Sequence, residues 1–174
     1  MYTDKRIKHI AQHVINHHQS NDPQVLSQQL DIIILPSNLG SKINGFLQYH
    51  EGANKYLIHL NNNLESHDQQ ATIAHELGHF FLHKEFNTFK IKKTSIVLES
   101  KLESQANTFA AELLLPDSLL KGTNLCMRNI LSAETIAARY NVPLELAKIK
   151  YKQNETLSTY YRRENFHNNH VVII

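Results

Sequence analysis

Apolar residues at Ile7, Ile10, Ala11, Val14 and Ile15 recur at helical spacing, which predicts an amphipathic helix from about Asp4 to His18. Its other face carries His9, His13 and His17. No carboxylate stands among them, so they read as a solvated face. Asp22-Pro23 supplies a cap followed by proline at the first helical position and opens a short helix to about Leu30. The run Ile32 to Leu35 predicts a buried strand. Phe46 to Tyr49 and Lys55 to Leu60, separated by Glu51-Gly52-Ala53-Asn54, predict a hairpin. Alternation puts Tyr56, Ile58 and Leu60 on one face of its second strand, with Leu57 and His59 on the other.

Ser66 with Gln69 three residues on has the form of a capping box and predicts a helix from about His67 to Lys84. At about 100° per residue, Ile73, Ala74, Leu77, Phe80 and Phe81 gather on one side, and His75, Glu76, His79 and His83 on the other. One face should pack on a sheet while the other lines a cleft. A second long helix runs from about Glu99 to Leu115, closed by Pro116. Between these two helices, Lys84 to Leu98 is charged and shows no periodicity. Ser132 to Tyr140, a break at Asn141-Val142-Pro143 and a helix to about Gln153 form a helical pair. Beyond Thr156 no element is predicted, and the terminal Val171-Val172-Ile173-Ile174 reads as a packing segment. The elements add up to an α+β fold with a small mixed or antiparallel sheet on a central helix. Residues 1–120 form the core, and 121–174 a C-terminal helical extension of the same compact unit.

A chain of 174 residues suits one domain that buries about two-thirds of its unfolded surface. A net charge of +2 gives no strong field for nucleic acid or membrane, so neither is an expected partner. Cys126 is the only cysteine and no run approaches a membrane span, which together lead us to expect a reducing cytoplasm. Histidine is the departure, with 12 in the chain.

His75-Glu76-Leu77-Gly78-His79 has the H-E-x-x-H spacing, in which two imidazoles one helical turn apart can meet at one zinc ion. In so histidine-rich a chain the pattern needs support. His83 does not supply a third ligand, because it stands two turns from His75, about 12 Å along a straight helix. A glycine turn leading to a third histidine is also missing, since Leu82 occupies the place where one would begin. On the second helix, Leu102, Ala106, Phe109, Ala110, Leu113 and Leu114 form the apolar face, and Glu103 sits within that sector. A carboxylate there is costly unless it is paired or bound to metal. Glu103 is therefore the best ligand candidate and Glu99 the reserve. Asn107, one turn on, is placed to orient Glu103 or a ligand histidine. Glu112 reads as pointing to solvent.

With these residues in place, the chain resembles the ImmA/IrrE family of zinc metallopeptidases. The likeness is carried by Ile73-Ala74-His75-Glu76-Leu77-Gly78-His79-Phe80-Phe81-Leu82-His83 and by Glu103 through Pro116, and extends more loosely from about Asp22 to Gln153. The resemblance implies a zincin-like arrangement, Zn2+ held by His75, His79 and Glu103, and Glu76 as the catalytic base. It also implies a regulatory endopeptidase that cleaves a helix-turn-helix repressor or an antitoxin. The substrate is expected to lie extended beside Lys55 to Leu60. His59, His83 and Tyr140 are candidates to assist at the oxyanion, and His83 also for a supporting role behind the ligands. The competing readings are a DNA-binding regulator built on the Ser132 to Gln153 pair and a metal-sensing module with latent or absent peptidase chemistry. Lys148, Lys150 and Lys152 favour the first but spread around their helix, and the presence of Glu76 speaks against the second.

Overall fold

In the computed structural model, which describes residues 1–84, 96–121 and 132–153, the Thr3 hydroxyl accepts from the Arg6 N–H and starts helix α1 (Asp4–His18). This helix buries Ile7, Ala11 and Val14 and leaves His9, His13 and His17 exposed, as the spacing predicts. The Asp22 carboxylate caps α2 (Pro23–Gln29) by accepting from the N–H groups of Gln24 and Val25. Strands β1 (Ile33–Ser37), β2 (Gly45–His50) and β3 (Lys55–Asn61) follow, with a 3-10 turn at Glu51–Ala53 inside the hairpin. The remaining elements are α3 (Ser66–His83), α4 (Ile96–Leu114), α5 (Asp117–Lys121), α6 (Ala133–Tyr140) and α7 (residues 144–153). Cys126, most of the Lys84 to Leu98 segment and the chain beyond 153 lie outside the described residues. No helix among the described residues is long and apolar enough to cross a membrane.

The sheet order is β1-β3-β2, with β1 parallel and β2 antiparallel to β3. Two expectations change with it. Ile33 and Leu35 pair with Leu57 and His59, on the sheet face opposite Ile58 and Leu60, and remain 39% and 36% exposed. An apolar run therefore marks an edge strand here, because only alternate residues such as Ile34 turn to the core. Moreover, β3 is paired on both sides, so no substrate strand can add beside it. The capping box does not form either. The helix begins at Ser66 with Glu65 at its cap, and the Gln69 amide donates to the Leu64 carbonyl instead.

Ile58 and Leu60 of β3, Ile73, Ala74 and Leu77 of α3, and Phe109, Ala110 and Leu113 of α4 share one core with the buried face of α1. A second cluster, of Leu115, Ala133, Ile136 and Ala147, joins α6 and α7 to the end of α4. Across this junction runs an ion-pair network. The Lys150 ammonium, 0% exposed, lies 2.7 Å from Glu112 Oε2 and 2.9 Å from Asp117 Oδ1, and Lys8 Nζ lies 2.6 Å from Asp117 Oδ2. Glu112 is 3% exposed and does not face solvent. The α4 pattern alone misleads because the cation that makes this burial tolerable comes from α7, 38 residues away.

Replacing Lys150 with Met leaves Glu112 as a buried carboxylate without its cation and should cost about 3–5 kcal/mol, read from denaturant unfolding. A loss no larger than that of an exposed lysine would show that the network does not hold the helical pair. Burial works against the charged form of Asp117, yet hydrogen bonds from Lys8 and Lys150 outweigh it and hold its pKa down to about 2, from 3.8. A depressed carboxylate stabilises the fold above its unfolded pKa and ceases to do so as pH falls through the folded value. Between about pH 4 and 2, then, melting temperature should fall, and Asp117→Asn should flatten that slope.

Candidate metal centre

The centre depends on how closely α3 and α4 approach. A Cβ added at Gly78 would lie 2.9 Å from the Ala106 carbonyl oxygen and 3.0 Å from its Cα, so the two backbones are almost in contact. On either side of this point His75 and His79 from α3 meet Glu103 from α4. His75 Nε2 is 3.1 Å from His79 Nε2 and 3.1 Å from Glu103 Oε2, and His79 Nε2 is 3.6 Å from Glu103 Oε1. Four-coordinate ligands with bonds of about 2 Å stand roughly 3.3 Å apart, so two nitrogens and one carboxylate at these separations suit a single divalent ion. The donor set fits. Among the described residues, these three form the one cluster able to hold a metal, with all donor atoms within 4.8 Å of one another.

The electrostatics follow from the same crowding. The His75 imidazole first, and that of His79 beside it, hold the Glu103 carboxyl well below the usual carboxylate range, against the effect of burial. Burial works against a charged His75, but its bond to Glu103 and the charges of Glu76 and Glu103 prevail and raise its pKa. Glu76 is 6% exposed, and burial pushes its pKa up although both histidines pull it down. Its carboxylate also accepts from the Leu47 main chain. The hairpin register explains why that donor is free to turn outward. Asn61 N–H bonds to the Asn44 carbonyl, so Asn44, Phe46 and Gln48 direct their main-chain groups at β3, and Leu47 directs its own away.

Each expected site residue has a definite place. Asn107 Oδ1 is 2.8 Å from His75 Nδ1. His83 is buried behind His79, with its Nδ1 3.0 Å from His79 Nδ1. Glu99 is not part of the three-donor cluster. None of the three oxyanion candidates lines the cavity at the centre. His59 is on the far sheet face, stacked on Phe46 with ring centroids 4.4 Å apart and bonded to Gln48; His83 is behind a histidine; Tyr140 packs in the second apolar cluster. Sequence reasoning missed Gln105, whose Oε1 is 3.0 Å from His83 Nε2, and the Leu47 main chain. Neither carries a sequence signal, since each matters only through an element remote in the chain.

A cavity of about 370 Å³ opens beside His75 and Glu76. Gly45 and Thr72 line it, together with Pro143, Glu145 and Leu146 from the α6–α7 junction. Gly45 has no room for a side chain, since a Cβ would lie 2.7 Å from Thr72 Cγ2 and 2.8 Å from the His59 carbonyl oxygen. That approach brings β2 over α3 next to the carboxylate.

A buried carboxylate beside a three-donor metal cluster, opening on a cavity, is the equipment of a metallopeptidase, and comparison with known proteins gives the same class. Residues 27–152 match the family described as the IrrE N-terminal-like domain, and the chain belongs to that metallopeptidase family, which implies a metal ion. It is 45% identical over 153 residues, 88% of each chain, to Metallopeptidase ImmA of Bacillus subtilis (strain 168). It is 37% identical over 147 residues to Uncharacterized immunity region protein 2 of Bacillus phage phi105, covering 83% of this chain and 88% of that one. Among solved structures, a Mycobacterium tuberculosis transcriptional regulator superposes with a TM-score of 0.57 at 14% identity over 83% of this chain, a likeness of fold alone. The chain spans 45% of that protein's length.

Glu103→Ala should lower bound metal well below one ion per chain, measured by elemental analysis of protein purified without chelator. Glu112→Ala should keep the metal while losing stability, because its carboxylate serves Lys150. Equal metal content in the wild type and Glu103→Ala would move the ligand role elsewhere.

Proposed function

We propose that the chain is a zinc-dependent endopeptidase of zincin-like arrangement that cuts a specific regulatory protein, with His75, His79 and Glu103 as ligands and Glu76 as general base. The observation that carries this reading is the convergence of three donor atoms next to the buried carboxylate of Glu76, with His75 and Glu76 lining one cavity. Zinc bound there supplies Lewis-acid polarisation of the scissile carbonyl and a lowered pKa for the attacking water. Glu76 accepts the proton of that water and delivers it to the departing amine nitrogen. The Leu47 main-chain N–H fixes the orientation of the Glu76 carboxylate for this task. Asn107 orients the His75 ring.

An extended substrate can pair with the outward main-chain groups of β2, the edge strand nearest Glu76, other than the Leu47 N–H that Glu76 engages, in place of β3. The α6–α7 junction also lines the cavity and offers a docking wall. The phage relative named as an immunity region protein supports a helix-turn-helix repressor or an antitoxin as partner. The competing DNA-binding reading loses ground because Lys150, the middle lysine of its supposed basic helix, is fully buried in an ion pair.

Glu76→Gln should keep the metal and the fold yet abolish cleavage, since a near-isosteric amide cannot accept the water's proton. The assay is co-expression with a candidate helix-turn-helix repressor or antitoxin, followed by mass spectrometry of its fragments. A discrete cut that disappears in the variant supports the proposal, and undiminished cleavage by Glu76→Gln sinks the mechanism. An intact partner together with rapid digestion of unrelated unfolded proteins would make it a general peptidase.

A further inference from the structure

Behind His79 a line of hydrogen bonds runs away from the metal cluster and ends on the main chain of the N-terminal segment. His79 Nδ1 is 3.0 Å from His83 Nδ1, His83 Nε2 is 3.0 Å from Gln105 Oε1, and Gln105 Nε2 is 2.7 Å from the Tyr2 carbonyl oxygen. His83 is 2% exposed, so water does not readily replace these partners.

The direction of every proton in this line follows from its last member. A main-chain carbonyl only accepts, so the Gln105 atom facing Tyr2 is the donating amide nitrogen, and the atom facing His83 is the accepting oxygen. His83 Nε2 must then carry a hydrogen and donate it. In a neutral imidazole the other nitrogen is an acceptor, so His83 Nδ1 receives a hydrogen from His79 Nδ1. This leaves the lone pair of His79 on Nε2, the atom that faces Glu103 and His75. Were the Gln105 amide reversed, the same logic would place the lone pair on His79 Nδ1, directed away from the cluster.

We propose that Gln105 is a positioning residue for the metal centre: acting through His83, and itself oriented by the Tyr2 carbonyl, it holds His79 in the one tautomer that presents a lone pair to the metal. This rests on the assignment of His75, His79 and Glu103 as ligands. It adds two participants, Gln105 and the main chain ahead of α1, neither of which belongs to the H-E-x-x-H pattern. It also gives α1 a part in the site, because the helix that buries Ile7, Ala11 and Val14 in the core fixes where the Tyr2 carbonyl stands.

The test compares zinc affinity, by competition with a chromophoric chelator, in full-length wild type, Gln105→Leu, Gln105→Glu and His75→Ala, with the melting temperature of each metal-free protein. Gln105→Leu removes the acceptor and should weaken zinc binding by about 10- to 100-fold, the usual effect of losing a partner behind a ligand histidine. Gln105→Glu loses the bond to Tyr2 but offers His83 only acceptor atoms, so it should bind zinc no more weakly than wild type even if its melting temperature falls. A residue that merely anchors the N-terminal segment would behave oppositely, with both variants less stable and zinc affinity unchanged. Wild-type affinity in Gln105→Leu, with zinc lost in His75→Ala, overturns the relay and leaves the ligand assignment standing. Should Gln105→Leu fail to fold, Gln105→Met, which also removes the amide acceptor while keeping the length of the side chain, takes its place, and undiminished zinc affinity in it overturns the proposal, as does a tenfold or greater loss in Gln105→Glu. Wild type that binds no zinc, or His75→Ala that binds it undiminished, overturns the ligand assignment and the relay with it.

Discussion

The close approach of α3 and α4 at Gly78 and Ala106 is the constraint on which the rest depends. Side chains at the contact are absent or one carbon long, which lets the backbones come near enough for a carboxylate on one helix to reach two imidazoles on the other. Larger residues there would move the helices apart, and Glu103 would stop short of His75. The same approach aligns the apolar faces of both helices on a common core, so the packing that stabilises the fold also sets the geometry of the cluster. A small fixed error in this contact would be passed on in full to three donor atoms.

The second constraint is electrostatic. Glu76 and Glu112 are buried on α3 and α4, Glu103 is partly exposed between α4 and the histidines, and each is held differently. Glu103 is matched by two histidines and sits low in pKa; Glu112 is matched by a lysine at 2.7 Å; burial lifts Glu76, against the pull of two imidazoles and a main-chain donor. The first two environments suit a permanent anion. The third suits a group that takes up and releases a proton, which is what the proposed role of Glu76 requires.

Much of this was legible in the sequence. Periodicity placed α1, α3, α4 and the hairpin, and the cost of a carboxylate among leucines singled out Glu103 before any contact was known. The same reasoning failed for Glu112, because a helical wheel shows the chemistry of one helix and says nothing of a cation arriving from α7. It failed for β1 because an apolar run does not say whether a second layer covers it. It also failed at the substrate edge, since the β1-β3-β2 order makes the second hairpin strand central, and strand order is a long-range property that local patterns do not encode. The short α5 was missed as well, its five residues being too few to carry a period.

The two histidine rows show where local reading reaches its limit. His9, His13 and His17 repeat every four residues on α1, as His75, His79 and His83 do on α3, so spacing alone cannot tell them apart. The α1 row stands exposed, with His13 and His17 stacked at 6.1 Å between ring centroids. The α3 row is turned against α4, which supplies a carboxylate to two of its members, an asparagine to the first and a glutamine to the last. An imidazole becomes a directed donor only when its other nitrogen is already committed, and that commitment comes here from α4 and, through Gln105, from the main chain at Tyr2. The chemistry of the α3 row thus resides in the residues that face it as much as in the histidines themselves.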